Sequence, residues 1–292
     1  MSLNDNKGMD SHSFVANQYS NLPFLASQLK EKYASADPFP HVILDNFFRE
    51  DVINAVQASF PDLSKDERST EYNHKAEVKL SSKRGDEQQS EPIKHLLRYL
   101  NSSEFVDFLQ HLTAIDEPLI PDPHFYGGGL HEIKNGGLLK IHADFCRHRE
   151  TGLDRRVNLL VYLNQGWRED FGGHLELWDR NMSACGQKIL PTLNRVVIFN
   201  TTDFTFHGNP EIVSCPPHRS RRSLALYYYS NGRPKSELRA SYKDQMTLFK
   251  ERPGEHFLAQ PTSAQRTKNV LRSLIPPALV STLKGLANTI KR

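Results

Sequence analysis

The chain has 292 residues, a length that fits one large domain with short appendages. Apolar residues make up 38% and charged residues 24% of the sequence, which excludes a wholly disordered or fibrous chain. The formal net charge of +3 is too small for a dedicated nucleic-acid binder, so no nucleic-acid partner is expected.

The sequence contains no apolar run of the roughly 18 residues that a membrane-spanning helix needs. Its first residues lack the basic and then apolar pattern of a secretory signal, so a cytoplasmic protein is expected. Only three cysteines occur, and none forms a CxxC pair, so neither a disulfide framework nor a thiolate zinc site is expected. The 13 histidines direct attention to a metal site instead.

Helical periodicity dominates the first third of the chain. Residues 1–17 are polar and are expected to be mobile, and the polar stretch 61–91 is expected to be an exposed connection or flap. The apolar spacing predicts three helical regions and one strand, over about Tyr19–Ala36, Pro40–Phe48 (the strand), Glu50–Phe60 and Pro92–Leu112, the last broken near Asn101.

From His124 onward, short segments rich in β-branched and aromatic residues alternate with Gly, Asn and Pro. Such segments, separated by turn signals, predict an antiparallel sandwich or barrel. The predicted strands lie in HFYGGGLHEI, GLLKIHADF, RVNLLVYLN, GGHLELWD, KILP, NRVVIFN, PEIVSC and RRSLALYYYS.

The triplet His142-Ala143-Asp144 ends one of these segments. Side chains two residues apart on a strand point to the same face, so this imidazole and carboxylate can converge on one ion. His207, which follows the strand NRVVIFN, offers a third ligand. Two histidines and one carboxylate form the facial triad that binds Fe(II) and leaves positions open for substrate and dioxygen.

Two other pairs have a similar form. His148 and Glu150 lie in a charged loop and are expected to be solvated. His174 and Glu176 follow two glycines in a predicted strand, but no later element completes a site with them.

Fourteen residues after His207 comes Arg221-Arg222-Ser223, which opens an apolar strand. Arg221 and Ser223 share one face by the period-2 rule, while Arg222 points the other way. An inward arginine needs a compensating anion, and a guanidinium with a nearby hydroxyl suits a carboxylate. An edge strand with a solvated arginine pair is the alternative.

The segments HADF, RVNLLVYLNQGW, FGGHLELWD, NRVVIFNTTDFTFHGNP and RRSLALYYY occur in this order. Over about residues 120–232 the chain resembles the Fe(II)/2-oxoglutarate-dependent oxygenases, and within them the prolyl-4-hydroxylase-like branch. The resemblance implies an α+β fold with a double-stranded β-helix (jelly-roll, cupin-like) core. Supporting helices precede this core. We divide the chain into a polar segment and helix at 1–38, an oxygenase domain at 39–232 with its jelly-roll core at about 120–232, and a C-terminal extension with a basic amphipathic helix at 233–292.

The resemblance implies that His142, Asp144 and His207 are the catalytic iron ligands. It further implies Fe(II) and 2-oxoglutarate as cofactors, dioxygen as co-substrate, and ascorbate as a supportive reductant. The implied reaction hydroxylates an unactivated C–H bond and releases succinate and carbon dioxide. Related halogenases lack the carboxylate ligand, so Asp144 favours hydroxylation.

The resemblance also implies a set of cofactor-binding residues. Arg221 matches the residue that pairs with the distal carboxylate of 2-oxoglutarate, with Ser223 assisting. Tyr162 matches a tyrosine that hydrogen-bonds with the same carboxylate, and Asn158 and Leu160 share its face and could line the pocket.

Two departures from the family pattern bear on these assignments. The tyrosine that some prolyl hydroxylases place ten residues before the first histidine ligand falls at Glu132. The long gap before Arg221 leaves Arg219 and Arg222 as outside candidates for the carboxylate partner.

Three substrate classes stay open: a prolyl or other peptidyl residue, an anionic sugar such as lipid-linked Kdo, and a small metabolite. Bacterial Kdo 3-hydroxylases resemble the chain in HADF, LDRRVNLL and GGHLELWD. A basic cluster beside the metal motif is expected to be mostly solvated, although any member at the pocket mouth would favour an anionic substrate. Trp178 is a further candidate for the pocket wall. The cluster comprises Arg147, His148, Arg149, Arg155 and Arg156.

The tail Arg266–Arg292 is basic, with apolar residues at helical spacing. It predicts either a helix docked on the domain or a helix on the anionic inner face of a membrane, where a glycolipid substrate would lie. A cupin-like metal-binding module without oxygenase activity is the competing hypothesis from another class, and the oligomeric state stays open.

Overall fold

The computed structural model describes residues 14–82, 85–238 and 246–258. The chain divides into two units, 1–256 and 257–292. No helix among the described residues is long and apolar enough to cross a membrane. The predicted basic tail, 266–292, lies outside the described residues.

The described residues contain four α-helices, all before residue 114, and side-chain caps mark the start of two of them. Asn21 accepts a hydrogen bond from the backbone N–H of Phe24 at the start of the first helix, and Ser102 caps the fourth through Phe105. The break predicted near Asn101 is confirmed, because it separates the third and fourth helices. The helices are α1 (Leu22–Ala34), α2 (Glu50–Ala58), α3 (Glu91–Leu100) and α4 (Ser103–Thr113).

The described residues contain thirteen strands joined in one antiparallel sheet. They are β1 (His41–Leu44), β2 (Ser69–His74), β3 (Glu77–Ser82), β4 (Ile120–Pro121), β5 (Gly129–Lys134), β6 (Leu138–Ala143), β7 (Asp154–Tyr162), β8 (Leu175–Trp178), β9 (Cys185–Ile189), β10 (Val196–Asn200), β11 (Phe206–Asn209), β12 (Ser220–Ser230) and β13 (Leu248–Phe249).

The spatial order β1-β10-β7-β12-β5-β3-β6-β11-β8-β9 lets the sheet curl on itself. Side chains of β5, β7 and β12 consequently line the same cavity as those of β6, β8 and β11. This is the predicted α+β double-stranded β-helix, and it places the ends of β6 and β11 inside the fold.

Alternation along β7 separates a packing face from a cavity face. Val157, Leu159 and Val161 belong to the large apolar cluster that includes buried residues of all four helices. Leu160 and Tyr162 point the other way and pack in a second cluster with residues of β8 and β10. The helices therefore cover one face of the sheet and leave the other for a site.

The exposed connection predicted over 61–91 is wrong in part. This segment contains the hairpin β2–β3, and β3 pairs with both β5 and β6. Leu80 and Ser81 on β3 are buried, while the outward residues of β2 are polar. The hairpin was not predicted because the residues of β2 are mostly polar and show no apolar alternation.

The strand predicted in PEIVSC is also wrong. Residues 210–215 form a loop whose Val213 exchanges backbone hydrogen bonds with Gly136 and Gly137. The additional strand is β11, which contains His207 and pairs with both β6 and β8.

Two short segments attach the ends of the described chain to the fold. Val15 is buried and forms a β-bridge with Phe48, so the mobility expected for 1–17 does not hold at this residue. Strand β13, in the segment predicted as the C-terminal extension, pairs with β6 beside His142.

Candidate metal and 2-oxoglutarate site

His142, Asp144 and His207 come together at one end of the cavity. His142 and His207 face each other across the pairing of β6 and β11, and Asp144 directly follows β6. Potential ligand atoms of the three buried residues all lie within 4.8 Å of one another. The carboxylate lies 3.6 Å from Nε2 of His142 and 3.3 Å from Nε2 of His207.

Both imidazoles are oriented by backbone carbonyls. Nδ1 of His142 lies 2.8 Å from the carbonyl oxygen of Lys140, and Nδ1 of His207 lies 3.2 Å from that of Thr205. When Nδ1 donates in this way, Nε2 carries the lone pair that a metal requires. Burial, more than any other cause, lowers the pKa of His207, which favours the neutral ligand form.

Two side chains donate hydrogen bonds to the carboxylate of Asp144. Oδ2 accepts hydrogen bonds from Asn158 Nδ2 at 2.7 Å and from Arg155 Nη2 at 2.9 Å. Burial acts to raise the pKa of Asp144, but the charge of Arg155 and then that of His207 outweigh it and hold this pKa well below its usual range. The group is therefore ionised and fixed in orientation, as a metal ligand must be.

Arg221 lies in the same cavity, on β12. Its Nε donates to the carbonyl of Gly173 at 2.7 Å and its Nη2 to the hydroxyl of Tyr162 at 3.3 Å. Gly173 has φ +68°, and a Cβ there would lie only 2.9 Å from Cδ of Arg221. The glycine thus provides the space in which the arginine side chain lies. Among the described residues, no carboxylate pairs with this buried guanidinium.

The cavity has about 570 Å³ of empty space including its mouth. Asn158, Leu160 and Ser223 line it together with the triad and Arg221, whereas Tyr162 contacts Arg221 without lining it. A larger groove of about 800 Å³ beside β2 and β3 contains none of these groups.

These observations fit an iron ion and a dicarboxylate. Two imidazoles and a carboxylate suit Fe(II), and a buried guanidinium without an acidic partner suits the far carboxylate of 2-oxoglutarate. The buried amide nitrogen of Asn209, also in the cavity wall, lacks a hydrogen-bond partner among the described residues. Such a group marks a wall that is completed by a ligand.

The alternative arginines lie elsewhere. Arg219 is bound to backbone carbonyls of Gln165 and Gly166, and Arg222 stacks over Phe60 outside the cavity. Only Arg221 among the three lines the cavity, so the strand register is the one that period-2 alternation predicts.

Both rival histidine pairs have structural partners. His148 is buried, not solvated, and its Nδ1 accepts hydrogen bonds from the backbone N–H groups of Glu150 and Thr151. His174 contacts Glu169, while Glu176 accepts from the indole of Trp178. In the described part of the chain, the triad is the one cluster that could hold a metal.

Several wall and surface predictions are wrong. Arg155 and Arg156 are buried rather than solvated, and Arg155 enters the cavity. Trp178 packs with Ile141 on the opposite face of the sheet from the triad. Sequence reasoning missed His131, which lines the cavity on β5.

Residues 128–229 match the model of the 2OG-Fe(II) oxygenase superfamily. These residues therefore form a 2OG-Fe(II) oxygenase domain, the kind of domain whose cofactors are Fe(II) and 2-oxoglutarate. Apart from Lys79 on β3, the residues that line the cavity lie within the matched region.

Among curated proteins, the chain is 25% identical over 200 residues to prolyl 3-hydroxylase OGFOD1 of Mus musculus, which covers 66% of this chain. The aligned part spans about a third (33%) of the length of that relative.

Two solved structures share the fold, each with a TM-score of 0.53. A prolyl-4-hydroxylase of Pseudomonas putida is 17% identical and covers 71% of this chain and 100% of its own. A prolyl hydroxylase of Trichoplax adhaerens, solved with a peptide fragment of the hypoxia inducible factor oxygen degradation domain, is 18% identical and covers 73% and 92%.

Proposed function

We propose that the protein is an Fe(II)/2-oxoglutarate-dependent dioxygenase that hydroxylates a prolyl residue of a peptide or protein. The observation that supports it most strongly is the shared cavity. His142, Asp144 and His207 line the same cavity as Arg221, a buried cation without an acidic partner among the described residues.

In this proposal the two imidazoles and the Asp144 carboxylate hold the iron, and Arg221 pairs with the distal carboxylate of 2-oxoglutarate. The bound cofactors and dioxygen supply the oxidation that places a hydroxyl on the substrate carbon, with succinate and carbon dioxide as co-products. A metal-binding module without this chemistry would not need Arg221 in the cavity.

The chain's own residues contribute position and exclusion of water. Asn158 and Arg155 fix the carboxylate plane of Asp144 through Oδ2. Ser223 and Leu160 line the same cavity as the triad and Arg221. Burial of these groups strengthens each charge interaction because it removes competing water.

The prolyl substrate is supported by the name of the mouse relative, a prolyl 3-hydroxylase. The cavity charges agree with an uncharged substrate. Lys79 pairs with Glu77 at 2.9 Å and Arg155 contacts Asp144 at 2.9 Å, so Arg221 is the cavity cation without an acidic partner among the described residues and is left for the cofactor. An anionic sugar would require a further unmatched cation.

Anaerobic absorption spectroscopy tests the cofactor part of the proposal. Apo-protein is titrated with Fe(II) and then 2-oxoglutarate, beside Asp144→Ala, Arg221→Ala and the control Arg219→Ala. A visible metal-to-ligand charge-transfer band should form in the wild type and in the control, and be lost or weakened in the other two.

Iron binding without that band would contradict the proposal and favour the metal-binding module. The substrate part is tested aerobically, with mass spectrometry of prolyl peptides and of lipid-linked Kdo after incubation. Oxygen incorporation into a prolyl residue is expected, whereas incorporation into the sugar alone would overturn the prolyl assignment.

A further inference from the structure

Asn209, on β11, has a buried polar atom that contacts neither the triad nor Arg221. The residue is 3% exposed and lines the cavity. Its amide nitrogen, Nδ2, has no hydrogen-bond partner among the described residues. Buried polar atoms are nearly always satisfied, so this donor marks a position that a ligand atom occupies.

The sheet register places Asn209 between the triad and Arg221. On the antiparallel neighbour β8, the residue opposite His207 is Leu177. Asn209 comes two residues after His207, which moves it along β8 in the direction of Gly173. The carbonyl of Gly173 accepts a hydrogen bond from Nε of Arg221 at 2.7 Å. A ligand that contacts both the metal and Arg221 therefore extends past Asn209.

Strand pairing holds the side chain of Asn209 in the cavity wall. Asn209 and His207 are two apart on β11, so they share one face of the strand. A shift of register in the pairing with β6 places Leu139 opposite Asn209. At Gly208, a Cβ would lie 2.8 Å from the carbonyl oxygens of Leu139 and Lys140. The glycine thus allows β11 to approach β6 closely, and Asn209 is positioned by two paired strands.

One arginine does not satisfy a buried carboxylate. An ionised carboxylate has about four lone-pair positions, and its burial is unfavourable unless they are hydrogen-bonded. Arg221 already donates from Nε to Gly173 and from Nη2 to Tyr162, which reduces the donors it offers to a ligand. An amide N–H supplies a further donor without adding another buried charge.

We propose that Nδ2 of Asn209 donates a hydrogen bond to the distal carboxylate of 2-oxoglutarate, beside Arg221. The inference deepens the proposed function and rests on its cofactor part. The amide and the guanidinium together select a 2-oxo acid that has a second carboxylate over one that lacks it.

The test compares 2-oxoglutarate with 2-oxopentanoate, which has the same carbon chain and keto group but no distal carboxylate. Each acid is titrated anaerobically into Fe(II)-loaded protein, and its dissociation constant is read from the charge-transfer band. Wild type is compared with Asn209→Leu, which removes the donor at similar volume, and with Asn209→Asp, which keeps the shape but replaces the donor by an acceptor. Asn73→Leu, at an exposed asparagine of β2, is the control.

Asn209→Leu should raise the dissociation constant of 2-oxoglutarate by at least about tenfold, because a hydrogen bond to a charged group is lost. The same variant should bind 2-oxopentanoate no more weakly than wild type does, which also shows that it is folded and holds iron. Asn209→Asp should lose still more affinity for 2-oxoglutarate than for 2-oxopentanoate, because its carboxylate repels the distal carboxylate. Asn73→Leu should match wild type with both acids.

Two results would overturn the inference. An equal loss of affinity for both acids would place the donor at the metal-bound end of the cofactor. Unchanged affinity for 2-oxoglutarate in both Asn209 variants would assign Nδ2 to a different ligand.

Failure of this inference and failure of the proposed function give different results. If the band forms with 2-oxoglutarate in the wild type and the Asn209 variants bind it equally well, the cofactor chemistry stands and the Asn209 contact is wrong. If no band forms in the wild type, the proposed function fails and the contact fails with it.

Discussion

The two faces of the sheet formed by β5, β7 and β12 satisfy their polar side chains differently. On the helix-covered face, buried Glu132 accepts hydrogen bonds from the backbone of Leu63 and the hydroxyl of Ser220. On the cavity face, His131 and Arg155 each keep one buried atom without a partner among the described residues.

Arg155 and Arg156, which are adjacent on β7, therefore have different roles. Arg156 donates to Glu117 and Ser230 and stabilises the fold, while Arg155 points to the triad. Three of the buried polar atoms without a partner among the described residues, on His131, Arg155 and Asn209, line the cavity, where a ligand would satisfy them.

The largest effect is expected from the triad. Asp144→Ala should abolish succinate formation, because it removes the one carboxylate of the cluster, while the circular dichroism spectrum stays that of wild type. Asp170→Ala, at an exposed carboxylate, is the control. Wild-type turnover in Asp144→Ala would show that the cavity face does not carry the reaction.

On the helix-covered face the expected effect is on stability. Glu132→Ala should lower the free energy of unfolding by about 3–5 kcal/mol, because it leaves buried donors and Arg222 without their acceptor. Urea denaturation measures this, with exposed Glu71→Ala as control. The folded fraction should bind 2-oxoglutarate like wild type. Weaker binding would contradict the assignment of Glu132 to stability alone.

Asn158→Ala should weaken iron binding by about 10–100-fold, as expected when a residue that orients a metal ligand is removed. Competition with a chelator of known affinity measures the change. Asn164, whose amide donates to the carbonyl of Pro191 away from the cavity, provides the comparison. Equal metal affinities in Asn158→Ala and Asn164→Ala would contradict the role given to Asn158.

Alanine substitutions at two glycines distinguish the effect of backbone strain from the effect of crowding Arg221. Gly173 and Gly166 both have positive φ, +68° and +58°, so alanine at either costs about 1–2 kcal/mol of stability. Nothing lies within 4 Å of a Cβ at Gly166, whereas Gly173→Ala presses on Arg221. Only Gly173→Ala should raise the dissociation constant of 2-oxoglutarate, by about tenfold, in fluorescence or calorimetric titrations. Equal constants would mean that the arginine position is unimportant.

The smallest expected effect is a pH dependence of stability. The folded pKa of His131 lies well below its unfolded value of about 6.5, so the stability it contributes is present above that value and is lost as pH falls. His131→Phe should reduce the slope of unfolding free energy against pH by up to ~1.4 kcal/mol per unit below pH 6.5. His95→Phe should keep the wild-type slope; a wild-type slope in His131→Phe would contradict a buried neutral imidazole.

The sequence predicted that the side chains of the triad converge and that Arg221 faces inward, because their spacing reflects strand geometry. His142 and Asp144 are two apart at a strand end, and Arg221 opens an apolar strand. The helices of the first third were also predictable from apolar periodicity, to within a few residues.

The cavity role of Arg155 was not predictable by alternation. If every second residue of β7 faced the cavity, then Arg156 would share that face with Tyr162 and Asn158. In the structure Val157 pairs with Tyr228 and Arg155 with Tyr229, so Arg156 is an extra residue in a bulge that shifts the alternation. A bulge depends on the neighbouring strand, which a single segment of sequence does not contain.

One site is expected to hold a metal and 2-oxoglutarate together, and the mutual dependence of the two ligands tests this most directly. The dissociation constant of 2-oxoglutarate is measured by calorimetry with and without Mn(II), a redox-inert substitute for iron, in wild type and in Asp144→Ala. Wild type should bind 2-oxoglutarate at least about tenfold more tightly with the metal, which is a coupling of ~1.4 kcal/mol, and Asp144→Ala should show no such gain. Equal affinity with and without metal in the wild type would contradict a shared site.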